Sequence, residues 1–162
     1  VAEKAFVRGR VTPSMTRDEL PRLRTVADYQ FGAGAGRALF PPDEDPTVTR
    51  STSGRPRQVR ADAGRLVSYG TDGRFTLGLE AVDGWSTPFP ILRPESEPFV
   101  RDGKNVFAKF VRAVDDDVRP RDEVAVVHAD GDLLAVGRAE LAADAMRDFE
   151  TGMAVKVRAG AD

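Results

Sequence analysis

Four prolines fall within eleven residues, at Pro88, Pro90, Pro94 and Pro98, and they constrain the fold more than any other feature of the chain. Each lacks a backbone N–H and fixes its own φ, so regular hydrogen bonding is denied and an extended connection is favoured. We therefore expect two parts, 1–92 and 93–162. A chain of 162 residues is long enough for two small domains.

Composition removes several kinds of chemistry. The sequence has no Cys, which excludes disulfides, zinc–thiolate sites, iron–sulfur clusters and thiol nucleophiles. His128 is the only imidazole, so a His-based metal cluster is impossible and a Ser-His-Asp triad would have to run through that one residue. No apolar run approaches the roughly 20 residues that span a bilayer, and Val1-Ala2-Glu3-Lys4-Ala5-Phe6 does not read as a signal peptide. The expectation is a soluble, cytoplasmic protein with no metal and no cofactor.

Formal net charge is −2, with 13 basic and 11 acidic residues in 1–92 against 11 and 15 in 93–162. A uniformly basic nucleic-acid binder is ruled out, and any such site must be a local patch. The basic residues are mostly Arg, with Lys only at Lys4, Lys104, Lys109 and Lys156. GC-rich codon usage and bidentate phosphate recognition by guanidinium groups both account for that bias.

In the first part, Thr16-Arg17-Asp18-Glu19 is a capping-box pattern and predicts a helix, with Leu20, Leu23, Val26, Ala27 and Phe31 on one face. Gly32 supplies its stop. Gly32-Ala33-Gly34-Ala35-Gly36 lacks both the spacing and the strand-before-helix order of a dinucleotide loop, and reads as a permissive turn. Beyond Val48 the period changes to two, with strands around Val48, Arg57 to Arg60, Leu66 to Tyr69 and Phe75, Leu77, Leu79, and a tight turn at Asp72-Gly73. Arg50, Arg55, Arg57, Arg60 and Arg65 stand in that stretch with Asp62 as the one carboxylate. The segment is either a solvated loop and strand edge or a wrap for a phosphate backbone.

In the second part, a strand at Phe99 to Arg101 and a turn at Asp102-Gly103-Lys104 lead to an expected helix from Asn105 to Val114, with Val106, Phe107, Phe110, Val111 and Val114 inward. Lys109 and Arg112 would neighbour each other on its outer face, and Lys104 would stand at its start beside free amides suited to phosphate. Asp115-Asp116-Asp117 and Arg119-Pro120-Arg121 form a charged turn before a strand from Glu123 to His128. Ala129-Asp130-Gly131-Asp132 turns into a strand from Leu133 to Leu141, where Gly137 marks a bulge or the close approach of another backbone. Ala142 to Phe149 reads as a short helix with Met146 and Phe149 in the core. His128 reads as a structural or surface residue.

The order of these pieces, Phe99 to Val111, then Asp122 to Val127, then Leu134-Ala135-Val136-Gly137-Arg138-Ala139-Glu140-Leu141, then Gly152 to Arg158, resembles a PUA domain. Before it, Ala27-Asp28-Tyr29-Gln30-Phe31-Gly32-Ala33-Gly34 and Gly64-Arg65-Leu66-Val67 with Asp72-Gly73-Arg74-Phe75-Thr76-Leu77 resemble the pre-PUA domain of archaeal tRNA-guanine transglycosylases, the archaeosine enzymes. The resemblance implies an α+β chain, a small pre-PUA α/β-sheet domain followed by a PUA mixed-sheet pseudobarrel. It also implies RNA contacts around the first helix of the PUA domain and the neighbouring strand, which carries over to Gly103, Lys104, Asn105, Lys109, Arg112 and Arg138. To these the reading of the residues adds Arg121 in the charged turn and Arg55 and Arg57 in the arginine-rich segment.

The function these readings imply is that of a stand-alone, non-catalytic RNA-binding protein. It would bind tRNA at the acceptor stem and 3′ end in tRNA modification or translation, with a tRNA-modifying enzyme or the ribosome as further partners and no membrane. One alternative is the detached RNA-binding subunit of an archaeosine tRNA-guanine transglycosylase. Another is a protein-interaction or small-ligand module on the same barrel.

Overall fold

The computed structural model describes residues 11–12, 19–82, 90–92 and 96–161. The chain divides into two compact units, Val1–Ala81 and Val82–Asp162. Part of the proline-rich segment expected as a connection, Pro90–Leu92, is a strand of the second unit's sheet.

The first unit runs β1 (Val11–Thr12), α1 (Glu19–Phe31), α2 (Ala35–Leu39), β2 (Thr47–Arg50), β3 (Pro56–Ala61), β4 (Gly64–Tyr69) and β5 (Phe75–Leu77), followed by a 3-10 turn at Leu79–Val82. Leu79, expected in the last strand, belongs to that turn. The strands form one antiparallel meander in sequence order. Val48, Val59, Val67 and Leu77 stand opposite one another across four strands and are fully buried. With Leu23 and Ala27 of α1, and with Leu39 and Phe40, they make a core in which each large side chain contributes about 1.5–3 kcal/mol.

The helix starts near its expected place. Thr16 lies outside the described residues, and the Glu19 carboxylate accepts from the Arg50 guanidinium. The glycine-rich stretch is only partly a turn. Gly32 and Gly34 take positive φ, while Gly36 sits inside α2, where an added Cβ would run into the Arg24 backbone. Helix α2 exists at that distance from α1 because position 36 has no side chain.

Gln30 joins helix to sheet. The Gly70 N–H donates to the Arg74 carbonyl in the β4–β5 turn, which leaves Phe75 with its polar backbone groups facing the open edge. The Gln30 amide donates to the Phe75 carbonyl at 2.9 Å and accepts from the Phe75 N–H at 2.7 Å. One side chain thus does what a further strand would do for that residue.

The second unit runs β6 (Pro90–Leu92), α3 (Glu97–Arg101), β7 (Val106–Phe107), a 3-10 turn at Ala108–Phe110, β8 (Val111–Val114), β9 (Glu123–Val127), β10 (Leu133–Ala139), α4 (Ala143–Asp148) and β11 (Met153–Gly160). Sheet order is β7-β11-β10-β9-β6-β8, antiparallel except for β6 on β9. Its two outer strands, β7 and β8, are joined by three residues that reach at most about 10 Å. Laid flat, six strands would put them about 24 Å apart. The sheet must curl until its edges meet, which makes a mixed-sheet pseudobarrel around Val106, Val124, Val126, Leu134, Met146 and Val155.

Three expectations for this unit need correction. Phe99 to Arg101 is helical, with Pro98 tolerated in the first turn of α3. Asn105 to Val114 is strand, 3-10 turn and strand: Val106 is buried, Phe107 exposed and Ala108 buried, a period of two that satisfies β7 against β11. Phe149 lies beyond α4 and is 49% exposed, whereas Met146 is in the core as expected. Gly137 combines both of its expected roles. The β10–β11 register shifts at Val136/Gly137, and an added Cβ would collide with the Lys156 carbonyl.

Candidate nucleic-acid interface

Because the helix precedes Gly103 instead of following it, the expected phosphate-binding helix N-terminus does not form. Gly103 takes φ +93° and ends α3. Its N–H donates to the Val100 carbonyl and the Lys104 N–H to the Phe99 carbonyl, both at 2.9 Å. This pair of bonds is a Schellman cap, so the amides that were to cradle phosphate are already engaged. Lys104 now lies where a cation complements the helix dipole, with its side chain exposed. The turn is seated on the last strand, since a Cβ at Gly160 would collide with the Arg101 carbonyl and stand 2.9 Å from the Gly103 nitrogen.

Asn105 is engaged inside the fold. Its Oδ1 accepts the Val157 N–H at 2.9 Å, tying the turn to β11 beside the bulge. Lys109 is exposed in the 3-10 turn, its Nζ 5.1 Å from the centre of the Phe110 ring. Arg112 is exposed on β8. The two are therefore not helix neighbours, but both lie on the segment that closes the barrel. Lys104, Lys109 and Arg112 make no ion pair with a described residue. An exposed Lys156 stands opposite Arg138 in the sheet, and only the alternation of β11 could have singled it out from sequence.

Four arginines of this unit have carboxylate partners. Arg138 donates from Nε to Glu140 at 2.9 Å, Arg158 donates to the buried Glu123 at 2.6 Å, and Arg147 pairs with Asp116 and Asp144. Arg101 pairs with Glu97 at 2.7 Å, and the second Glu97 oxygen lies 3.3 Å from His128 Nε2. The Asp130 N–H donates to His128 Nδ1, so the imidazole links α3 to the β9–β10 turn. Arg121 is exposed, holds φ +79° and donates its N–H to the Ala139 carbonyl at 2.7 Å. A positive φ in a residue with a Cβ is uncommon and carries some strain.

In the first unit the arginine-rich segment is less uncompensated than its sequence implies. Glu19, distant in the chain, reaches Arg50. Arg65 donates to the Ser68 hydroxyl and to the Leu77 carbonyl. Arg55 donates to the Gly70 carbonyl at 3.2 Å and stays exposed. Arg57 is exposed on β3 and makes no ion pair with a described residue.

A curled mixed sheet with one short helix leading into a glycine-capped cationic turn defines a PUA-type barrel, here in an α+β chain with a sheet-and-helix unit ahead of it. Residues 91–161 match the PUA domain, and residues 21–90 match the patch-forming domain C2 of tRNA-guanine transglycosylase. The chain is a PUA-domain protein with a transglycosylase C2 domain in front, and it resembles the C-terminal part of archaeal tRNA-guanine(15) transglycosylases.

The relative from Methanothermobacter thermautotrophicus is 44% identical over 152 residues, covering 90% of this chain and 23% of that protein. That from Pyrococcus furiosus is 42% identical over 147 residues, 86% of this chain and 24% of that protein. The chain thus spans about a quarter of the length of the curated relatives it matches. Among solved structures, a hypothetical protein from Pyrococcus horikoshii shares the fold with a TM-score of 0.73 at 18% identity, covering 93% of this chain and 94% of that one. A conserved PUA domain protein from Thermoplasma acidophilum does so with a TM-score of 0.71 at 17% identity, covering 91% of each.

Proposed function

We propose that this chain binds tRNA at the acceptor stem and 3′ end, in tRNA modification or translation, without chemistry of its own. The observation that carries the proposal is the set of Lys104, Lys109 and Arg112. All three are exposed on the turn and closing segment of a PUA domain, and none makes an ion pair with a described residue. RNA duplexes hide their base edges in a deep groove and are met through phosphates, shape and 2′-hydroxyls, while unpaired ends are read by pockets and stacking. Cations on a closed barrel suit that surface. No described helix is long and apolar enough to cross a membrane, and the place of action we propose is the cytoplasm.

A second reading is favoured by the 44% identity to a tRNA-guanine(15) transglycosylase over the matched region. In it, the chain is the RNA-binding portion of an archaeosine transglycosylase and works with a catalytic portion. The two readings share the RNA site and differ in partner.

The test is a titration with total tRNA at two salt concentrations, repeated after removal of the terminal CCA. Binding that falls with salt and weakens on loss of CCA is the expected result. No affinity at low salt would overturn the proposal in favour of a protein-interaction or small-ligand module. Stable copurification with a catalytic chain would select the second reading.

A further inference from the structure

We propose that Asn105 brings an uncharged hydrogen-bond donor to the RNA site, its amide nitrogen donating to a ribose 2′-hydroxyl. The inference rests on the RNA-binding reading above and adds to it a residue that senses the sugar of the ligand and not its charge.

The two ends of this side chain meet different surroundings. An asparagine amide has an oxygen that accepts and a nitrogen that only donates. The Asn105 oxygen accepts the Val157 N–H at 2.9 Å. A backbone N–H can donate to the oxygen alone, so that bond settles which way the amide faces. The nitrogen is turned away from Val157, and no described residue accepts from it. Asn105 is half-buried, yet its nitrogen keeps contact with solvent, because the one sealed-off and unpartnered side-chain polar atom among the described residues belongs to Arg24.

The fold accounts for the oxygen and leaves the nitrogen without a structural task. Strand β7 starts at Val106, which pairs with Val155, so its ladder with β11 has run out by Val157. The Val157 N–H needs an acceptor there, and an aspartate or a serine would also supply one. An amide adds what those lack, a pair of N–H donors held in place by the bond at the other end.

The neighbouring charge points to the acceptor. Lys104 precedes Asn105 in the chain, is exposed and makes no ion pair with a described residue, which suits it to a phosphate. Along a nucleic-acid strand a ribose stands beside every phosphate, and in RNA it carries the 2′-hydroxyl that separates RNA from DNA. An uncharged donor one residue from a cation matches that order, phosphate to lysine and hydroxyl to amide. Such a bond releases no counterion, so it adds to affinity equally at every salt concentration.

The test uses the full chain and two ligands: an RNA hairpin with a single-stranded 3′ CCA end, and the same hairpin with 2′-deoxy sugars throughout. Wild type is expected to prefer the RNA. Asn105→Ala should lose about fivefold in affinity for the RNA, keep the wild-type salt slope and bind the deoxy hairpin as wild type does. Asn105→Asp keeps an oxygen for the Val157 N–H, so its urea midpoint should stay at the wild-type value even if the alanine variant unfolds early. Its added charge weakens both ligands, and its preference for RNA should drop by about the same fivefold. Lys104→Ala, by contrast, should weaken both ligands alike and lower the slope by about one. Asn105 variants that keep the wild-type preference for RNA would overturn this inference and leave the RNA-binding reading standing. Wild type that binds neither ligand at low salt would overturn both.

Discussion

The sheet face that carries Arg138 and Arg158 and the closing segment that carries Lys104, Lys109 and Arg112 belong to the same unit, yet their charges meet different surroundings. On the sheet face, each guanidinium has a carboxylate within hydrogen-bond distance, Glu140 for Arg138 and Glu123 for Arg158. On the turn and closing segment, no described carboxylate pairs with a cation. Part 93–162 is acidic overall, with 15 carboxylates to 11 basic residues. Even so, it presents a local cationic surface, because strand register and turn contacts assign several of those carboxylates to particular arginines. Net charge describes the unit poorly, and pairing describes it well.

Both regions depend on the bulged β10–β11 ladder, so the most disruptive change removes the comparison altogether. Gly137→Val would drive a branched side chain into the Lys156 backbone. It should cost about 3 kcal/mol or more, because backbone on a neighbouring strand cannot move aside cheaply. A urea melt with an unchanged midpoint would show that the ladder tolerates the intrusion. Glu123→Ala comes next. It leaves Arg158 without its buried partner and should cost about 2 kcal/mol, less than a fully buried pair because Arg158 is partly exposed. Since the sheet-face cations are not the proposed contact, tRNA affinity measured below the unfolding transition should hold.

The separation of paired from unpaired cations was only partly legible in the sequence. The C-terminal order of motifs implied the barrel, and alternation located β3, β4, β9 and β10 to within a few residues. The segment from Asn105 to Val114 misled because Val106, Phe110, Val111 and Val114 fit a helical spacing as well as a strand. The period that decides it, buried–exposed–buried at 106–108, is set by pairing with β11, far away in sequence. The same distance hid the partners. Glu19 to Arg50, Asn105 to Val157 and Glu123 to Arg158 lie 31, 52 and 35 residues apart, beyond any local motif. Arg138 and Glu140 are the exception, only two residues apart where β10 ends.

Replacing Lys104, Lys109 and Arg112 by alanine together tests the unpaired set. All three are exposed, so stability should stay within about 0.5 kcal/mol of wild type. The affinity for tRNA should fall at least about tenfold at low salt, and the salt slope should drop by about two. A triple variant with the wild-type slope would remove these residues from the contact even if RNA binding persists.

The smallest expected effect separates pairing from position as the reason Arg138 differs from Lys104. Glu140→Gln keeps the shape of the partner and removes its charge, and the backbone N–H of residue 140 still donates to the Ala154 carbonyl. The Arg138–Glu140 pair is half exposed, with side chains 46% and 31% open. Its loss should therefore change stability by less than about 1 kcal/mol. If the carboxylate is what keeps Arg138 from acting on RNA, the variant should bind tRNA about two- to fivefold more tightly at low salt, with a salt slope steeper by just under about one. An unchanged slope would mean that Arg138 is silent because of where the strand places it. The sheet face would then lie outside the contact whatever its charge, and the RNA would be confined to the turn and the closing segment.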